Sequence, residues 1–367
     1  MCFKLKIPEP PALSMPNNHA PFLSLIIPVY GVEAWIRSCM LSLIRQDLPP
    51  DQYEIIVVVD GSPDASFDVA RKTAQEYPEH SIRIFEKKNG GVSSARNYGL
   101  SFASGQYVMF IDGDDRLQEN ALGSIKVWVN RLECRPYVVH FNIINENDAG
   151  TADVTRLQET AHGVCVHGPE YYLQFRHNGN TRDTSCTSLF HRSFLERFEL
   201  QYNEKASFIE DGEFLAKVFS MAGPCAGNLF PVYLRTLRPD SATASGISVK
   251  PEVIQGAFAS ALSLFRFKQK HSPEGLAETV LNQALIKFVS LTLQLCLNTN
   301  RYSEARNYMQ KFKRECIIRL DTSGVTMNFP ELGKAYNRGL VVFTLYHFTK
   351  NYRKRLNNLG KMINLKY

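Results

Sequence analysis

The stretch Tyr107-Val108-Met109-Phe110-Ile111-Asp112-Gly113-Asp114-Asp115 puts three carboxylates directly after five apolar residues. A short apolar run of this kind reads as a buried strand, and the Asp-Gly pair as the turn that ends it. Carboxylates crowded at a strand end repel one another and lose solvation. A divalent cation carrying a phosphate would relieve both problems. The competing reading is a solvated turn whose aspartates cap a helix, and an Asp-Xaa-Asp turn alone does not decide between them. The spacing is not that of an EF-hand loop.

The sequence on either side alternates between two periods. Strands are predicted over 24–30, 54–60, 81–86, 107–111 and 137–144, and helices over 32–45, 66–77, 91–103 and 120–131. In the first of these helices Trp35, Ile36, Cys39, Met40 and Leu43 share one face. The run Ile55-Ile56-Val57-Val58-Val59 is apolar without interruption, which suits a strand buried on both faces. Such alternation predicts right-handed βαβ crossovers and a mostly parallel sheet flanked by helices. Ligands of such sheets bind beyond the carboxyl ends of the strands. Asp60 and Asp112 both fall there. Further along, 150–168 reads as a polar excursion, 184–190 as a short strand, 208–221 as a helix, 228–237 as a strand and 253–316 as helices.

The chain has 367 residues, 44% hydrophobic and 21% charged, enough for one large domain and an appendage. Its net charge of +6 is too modest to argue for nucleic acid as a partner. The eight cysteines are scattered with no Cys-Xaa-Xaa-Cys pair, so reduced thiols in a cytosolic protein are expected. No run of about 18 apolar residues occurs, so no transmembrane helix is predicted. Residues 1–20 carry four prolines and no apolar core, which reads as a flexible leader and not a signal peptide. The expected location is the cytoplasm. The expected divisions are a leader over 1–21, a catalytic domain over 22–245, a helical region over 246–330 and a tail over 331–367.

Three further constellations carry chemistry. Asp60, followed by Gly61-Ser62, could accept a base N–H or a ribose hydroxyl, or simply cap the next helix. In Asn89-Gly90-Gly91-Val92-Ser93-Ser94-Ala95-Arg96-Asn97, paired glycines let backbone approach a ligand at a helix start, and Arg96 could pair with diphosphate or with carboxylates. The spacing fits neither a P-loop nor a dinucleotide fingerprint. In Phe208-Ile209-Glu210-Asp211-Gly212-Glu213, acidic residues open a helix, where the helix dipole favours them. A general base for an acceptor hydroxyl is the functional alternative.

Taken in order, five pieces resemble family 2 of the inverting glycosyltransferases. They are Ile26-Ile27-Pro28-Val29-Tyr30, Asp60-Gly61-Ser62-Pro63-Asp64, Gly91-Val92-Ser93-Ser94-Ala95-Arg96-Asn97, Asp112-Gly113-Asp114-Asp115 and Glu210-Asp211. The resemblance spans about 22–245 and implies the GT-A fold, an α/β Rossmann-like sheet, here with a C-terminal helical extension. It implies a nucleotide-sugar donor, foremost a UDP-sugar, with Mg²⁺ or Mn²⁺. Pro28 and Tyr30 would line the nucleoside pocket and Asp60 would recognise the base. Gly91, Arg96 and Asn97 would lie near the nucleotide. Asp112, Asp114 and Asp115 would hold metal, ribose and diphosphate. Asp211, with Glu210 beside it, would be the catalytic base. Three positions depart from the family pattern: Gly31 where Asn is usual, Val59 where a second Asp is usual, and Tyr233-Leu234-Arg235-Thr236 where Y-x-Y-R is common.

The implied reaction is an inverting displacement by a hydroxyl of a glycan or lipid-linked acceptor, of the bacterial surface-polysaccharide type. The alternatives are a nucleotidyltransferase and a sugar-nucleotide-binding protein without catalysis. After Glu331 every charged residue is basic, and the apolar run 339–348 lies among them. That combination suits an anionic membrane surface, so a peripheral place at the cytoplasmic face of the inner membrane is expected. An ordinary packed helix with a basic end is the plain alternative.

Overall fold

Strands β1 (Leu23–Val29) and β2 (Tyr53–Asp60), with helix α1 (Ile36–Ile44) between them, are buried at every position of both strands. That is what their central apolar runs, residues 25–29 and 55–59, require. The computed structural model describes residues 20–146, 152–155, 163–176, 184–206, 208–237, 250–326 and 329–350. Residues 1–19 of the expected leader, residues 150–151 and 156–162 of the polar excursion and the segment 241–249 lie outside these residues.

The chain continues through α2 (Ser66–Gln75), β3 (Ile82–Lys87), α3 (Val92–Phe102), β4 (Tyr107–Phe110), β5 (Arg116–Leu117), α4 (Ala121–Arg131), β6 (Val138–Glu146) and β7 (Ala152–Thr155). It then forms β8 (Val166–His167), α5 (Gly168–Tyr171), β9 (Ser188–His191), α6 (Arg192–Arg197), α7 (Glu210–Met221) and β10 (Pro224–Thr236). The sheet order is β3-β2-β1-β4-β9-β6-β10-β5, with β7 on β6 and β8 on β10. The block β3-β2-β1-β4 is parallel throughout, as the alternation of strands and helices requires. β9 then runs antiparallel between β4 and β6, which the sequence pattern did not disclose. β10 is parallel to β6, and their register shifts around Pro231, which has no N–H for a ladder.

Helix α3 lies on β1 because of one residue. A Cβ at Gly99 would stand 2.5 Å from Ile26 Cγ2, so only glycine lets the helix come so close. The strand β3 is less buried than its neighbours and carries Arg83 and Lys87, as suits a sheet edge.

Chain contacts divide the molecule into two units: 1–204 with 218–241, and 205–217 with 242–367. The first contains the whole sheet. The boundary falls inside α7, after Lys217. The second unit is built from α8 (Pro251–His271), α9 (Leu276–Asn298), α10 (Tyr302–Arg314) and α11 (Phe329–Asn337), followed by helical residues 340–350. Its apolar core gathers Leu264, Leu281, Phe288, Leu293, Phe312, Tyr336 and Phe343. Among the described residues one helix, α9, is long and apolar enough to cross a membrane, although polar residues such as Asn282, Gln283 and Lys287 interrupt its apolar run. Of its most apolar window 83% is buried, and it packs against α8, α10 and α11, so it has the surroundings of a core helix.

The expectation of reduced thiols needs one correction. Cys134 and Cys165 are joined, with an S–S distance of 2.06 Å. They lie just before β6 and β8, and both of those strands begin level with Cys225, on opposite sides of β10. Residues 31 apart in sequence are thereby brought together. Cys39, Cys186, Cys225 and Cys296 are buried thiols outside any disulfide, and Cys316 is an exposed one.

Candidate active site at the carboxyl ends of the parallel strands

The loops that leave β1 and β2 are stitched to each other. Gly31 N–H donates to Ser62 Oγ (2.8 Å), and Ser62 in turn donates to Asp64 Oδ1 (2.6 Å). Asp64 Oδ2 accepts from Glu33 N–H (3.0 Å), and Glu33 returns the bond by accepting from Ala65 N–H (2.8 Å). Burial alone would raise the Asp64 carboxyl. The hydroxyls of Ser62 and Ser66 and the backbone donors outweigh it and bring its pKa down to about 2. Within Asp60-Gly61-Ser62-Pro63-Asp64, the last aspartate is thus a brace. Above it Tyr30 stands 54% exposed at the mouth of β1, while Pro28 is buried in the strand.

Asp60 ends β2 and is buried. Its carboxylate accepts from Lys87 Nζ (2.7 Å), Gly90 N–H (3.0 Å) and Gly91 N–H (2.7 Å). It therefore fastens the Gly90-Gly91 turn and sets where α3 begins. Lys87 was absent from the sequence-derived candidates. The signal lies in the strand register, because Asp60 and Lys87 are paired positions of neighbouring parallel strands and so point the same way.

Arg96, one turn into α3, is buried. It donates from Nη2 to Asp112 Oδ1 (2.8 Å), and its guanidinium lies over the ring of Tyr202, 5.1 Å from the centroid. Its neighbour Asn97 is engaged elsewhere. The Asn97 amide donates to Tyr202 O (2.9 Å) and accepts from Tyr202 N–H (2.9 Å), so it clamps that backbone and holds the ring beneath Arg96.

The Asp112–Asp115 turn closes through Asp115 N–H donating to Asp112 O (2.9 Å). Gly113 lies against β1: a Cβ there would stand 3.1 Å from Val32 Cγ2 and 3.3 Å from Pro28 O. The three aspartates have different surroundings. Asp112 gives one oxygen to Arg96 and keeps 36% of its side chain exposed. Asp114 is half-buried. Asp115 is buried, with Oδ2 accepting from Tyr233 Oη–H (2.7 Å) and Oδ1 from Thr236 N–H (2.8 Å). The Tyr233 hydroxyl also accepts from Asp112 N–H (3.1 Å), so one phenol joins both ends of the turn to β10.

Burial raises the Asp115 carboxyl well above the usual range, and the charges of Asp112 and Asp114 raise it further, against the donors from Thr236 and Tyr233. The Cys39 thiol beside the turn is pushed up by burial and then by the same three aspartates. The turn is thus a site of concentrated negative potential. Among the described residues no group of three or more His, Cys, Asp or Glu is arranged to hold a metal. A cation here would take one or two carboxylates and complete its shell with phosphate or water oxygens, the usual manner of Mg²⁺.

Residues 24–199 match the family model described as Glycosyl transferase family 2, over the segment that holds Asp60, Arg96 and the Asp112 turn. The chain carries a family 2 glycosyltransferase domain. Its sequence is 34% identical to the uncharacterized glycosyltransferase EpsJ of Bacillus subtilis (strain 168) over 206 residues, 55% of this chain and 57% of EpsJ. It is 41% identical to the minor teichoic acid biosynthesis protein GgaB of the same organism over 102 residues, 28% of this chain and 11% of GgaB. The chain therefore spans only part of the length of these relatives. The solved structure of S. aureus TarS 1–349 in complex with UDP-GlcNAc aligns with a TM-score of 0.66 at 19% identity, covering 90% of this chain and 91% of that one. At that identity the likeness speaks for the fold, and the GT-A expectation is met by the family 2 domain with helices after it.

The remaining expected pair, Glu210 and Asp211, opens α7 in the second unit. Glu210 is buried and Asp211 half-buried. The third acid of that turn, Glu213, is fully buried and paired with Lys217 Nζ (2.5 Å), which also donates to Ser263 Oγ (2.7 Å) on α8. Glu213 thereby anchors the helix within its own unit.

Proposed function

We propose that this protein transfers a sugar from a nucleotide-sugar donor, foremost a UDP-sugar, to a hydroxyl of a glycan or lipid-linked acceptor with inversion at the anomeric carbon. The observation that carries the reading is the partly exposed carboxylate of Asp112. It stands beside half-buried Asp114 at the end of a buried parallel strand and is held in place by Arg96 and Tyr233. The family 2 match supports it. So do a relative named for teichoic acid biosynthesis and a structural neighbour solved with UDP-GlcNAc.

In this reading Asp112 and Asp114 would hold Mg²⁺ or Mn²⁺, which would offset charge on the departing diphosphate. Asp115, with both oxygens engaged, braces the turn. Tyr30 offers an exposed ring to the nucleoside, Pro28 shapes the floor beneath it, and the start of α3 would favour anionic oxygen through its helix dipole, the Gly90 and Gly91 N–H groups being held by Asp60. Asp60 acts on the base side of the pocket by fixing the Gly90-Gly91 turn. Asp211 removes the acceptor proton as the hydroxyl attacks, while Glu210 supports the helix start. A hydroxyl nucleophile needs a base, whereas a metal-stabilised nucleotide leaving group needs no acid, so one carboxylate suffices.

The test is release of free nucleoside diphosphate from a panel of UDP-, GDP- and dTDP-sugars with Mn²⁺, comparing wild type with Asp211→Asn. Turnover is expected to fall by about a thousandfold, with donor affinity retained in calorimetry. Near-normal turnover of the variant would sink the base assignment. Release of pyrophosphate instead would favour a nucleotidyltransferase, and donor binding without any release would favour a binding protein.

A further inference from the structure

Helical residues 340–350 are apolar on two opposite sides. One side packs inward: Phe343 is fully buried in the core of the second unit, Leu340 and Tyr346 pack against that core, and His347 Nε2 lies 2.9 Å from Asn298 Oδ1. The other side carries Val341, Leu345 and Phe348, exposed by 74%, 61% and 43%. Their spacing of four and three residues makes one stripe about 10 Å long. Helices that end in water usually place charge or amide groups there.

Beyond Glu331, which pairs with Lys334 Nζ (2.9 Å), the charges in the sequence are of one sign. From Leu332 to Tyr367 the sequence contains no Asp or Glu. Lys334, Arg338 and Lys350 belong to the described part, and Arg353, Lys354, Arg355, Lys361 and Lys366 follow in sequence. A second copy of this chain would have to set this basic surface against itself, since a two-fold contact pairs like with like. Nucleic acid would use the charge and leave the aliphatic stripe in water. Only an anionic bilayer uses both. Short apolar side chains enter the headgroup boundary, and Lys and Arg stems reach lipid phosphates while their heads stay hydrated.

We infer that the exposed Val341–Leu345–Phe348 stripe, flanked by its basic residues, is a docking surface for an anionic lipid membrane. It needs none of the residues assigned to glycosyl transfer, so its success or failure is separate from that assignment.

The experiment is vesicle co-sedimentation of the full chain with phosphatidylcholine vesicles, with and without phosphatidylglycerol. Wild type is expected to bind the anionic vesicles, and to lose at least about tenfold of that binding in high salt. The triple variant V341S/L345S/F348S is expected to lose binding by a similar factor, with its circular dichroism and melting temperature unchanged. Should that variant not fold, K334Q/R338Q/K350Q alters only charged surface positions and is expected to show the same loss. Absent binding of wild type, equal binding to neutral vesicles, or variants that bind like wild type would each overturn the inference. A concentration-dependent dimer in sedimentation velocity that the variants abolish, without vesicle binding, would assign the stripe to a second copy instead.

Discussion

Glu54 and Asp112 are both carboxylates at the margins of the same parallel strands, at opposite ends. Glu54, near the amino end of β2, is buried and accepts from Ser24 Oγ (2.6 Å), Ser104 N–H (2.7 Å), Ser104 Oγ (2.8 Å) and Arg83 Nη2 (2.5 Å). Burial would raise its carboxyl, but these donors hold it below the usual range. Asp112, just past the carboxyl end of β4, has Arg96 on one oxygen and over a third of its side chain in solvent. Its neighbour Asp115 is displaced the other way, upward, by burial and by like charge. One end of the sheet is sealed and electrostatically satisfied, while the other keeps negative charge concentrated and partly open. A sealed carboxylate holds strands together. An open one can exchange water for a ligand.

The sharpest way to break this contrast is to neutralise one carboxylate at each end. Asp112→Asn is expected to lower transfer by about a thousandfold, equivalent to about 4 kcal/mol of barrier, and to cost only about 1 kcal/mol of stability, because Arg96 loses a charged partner but keeps an amide oxygen to donate to. Glu54→Gln is expected to reverse the pattern. It should lose about 3 kcal/mol of stability in urea titration, because Arg83 and the Ser104 donors lose a charged acceptor, while turnover per folded molecule stays unchanged. If both variants lost activity and stability in equal measure, the distinction between the two ends would fail.

pH sharpens the contrast further. The folded pKa of Glu54 lies below its ordinary 4.5, so its contribution to stability is present above that value and is lost as pH falls through the folded pKa. Glu54→Gln should therefore flatten the acid limb of the stability curve. Asp115 has the opposite sign. Its folded pKa is raised, so its contribution is present at low pH and lost as pH rises. Asp115→Asn keeps an acceptor oxygen for Thr236 or Tyr233 and cannot become charged. Its stability relative to wild type is expected to improve as pH rises, by about 1 kcal/mol at most between pH 5 and pH 8. A variant that instead weakened steadily with pH would show the Asp115 charge to be stabilising. The smallest expected effect is Tyr233→Phe, which removes the hydroxyl between Asp112 N–H and Asp115. A loss of about 1 kcal/mol with donor affinity nearly intact is expected, read by urea titration and calorimetry.

Much of this was legible from the residues. The alternation of strand and helix periods located the parallel block, because a strand buried on both faces is apolar along its centre, with polar residues such as Ser24, Glu54 and Asp60 only near its ends. Asp60 and Asp112 were legible as candidate site residues because strand ends are where a carboxylate can be both fixed and reachable. Asp112, Asp114 and Asp115 could not be told apart, since three aspartates in four residues are chemically identical in sequence. Their roles diverge through Tyr233 and Thr236, more than a hundred residues away. Lys87 was hidden for a similar reason, since its partnership with Asp60 exists only in the parallel register of β2 and β3. The Cys134–Cys165 bond depended on two strands starting level on either side of β10.

The sequence by itself determined the strand–helix order, the family 2 signature and the positions of the carboxylates, because these rest on local periodicity and on residues adjacent in the chain. Only the tertiary structure decided which carboxylates are sealed and which remain open, which lysine neutralises Asp60, and which side of the 340–350 helix faces solvent. Each of those depends on donors and packing partners from distant segments, and solvation is a property of the whole neighbourhood and not of the residue.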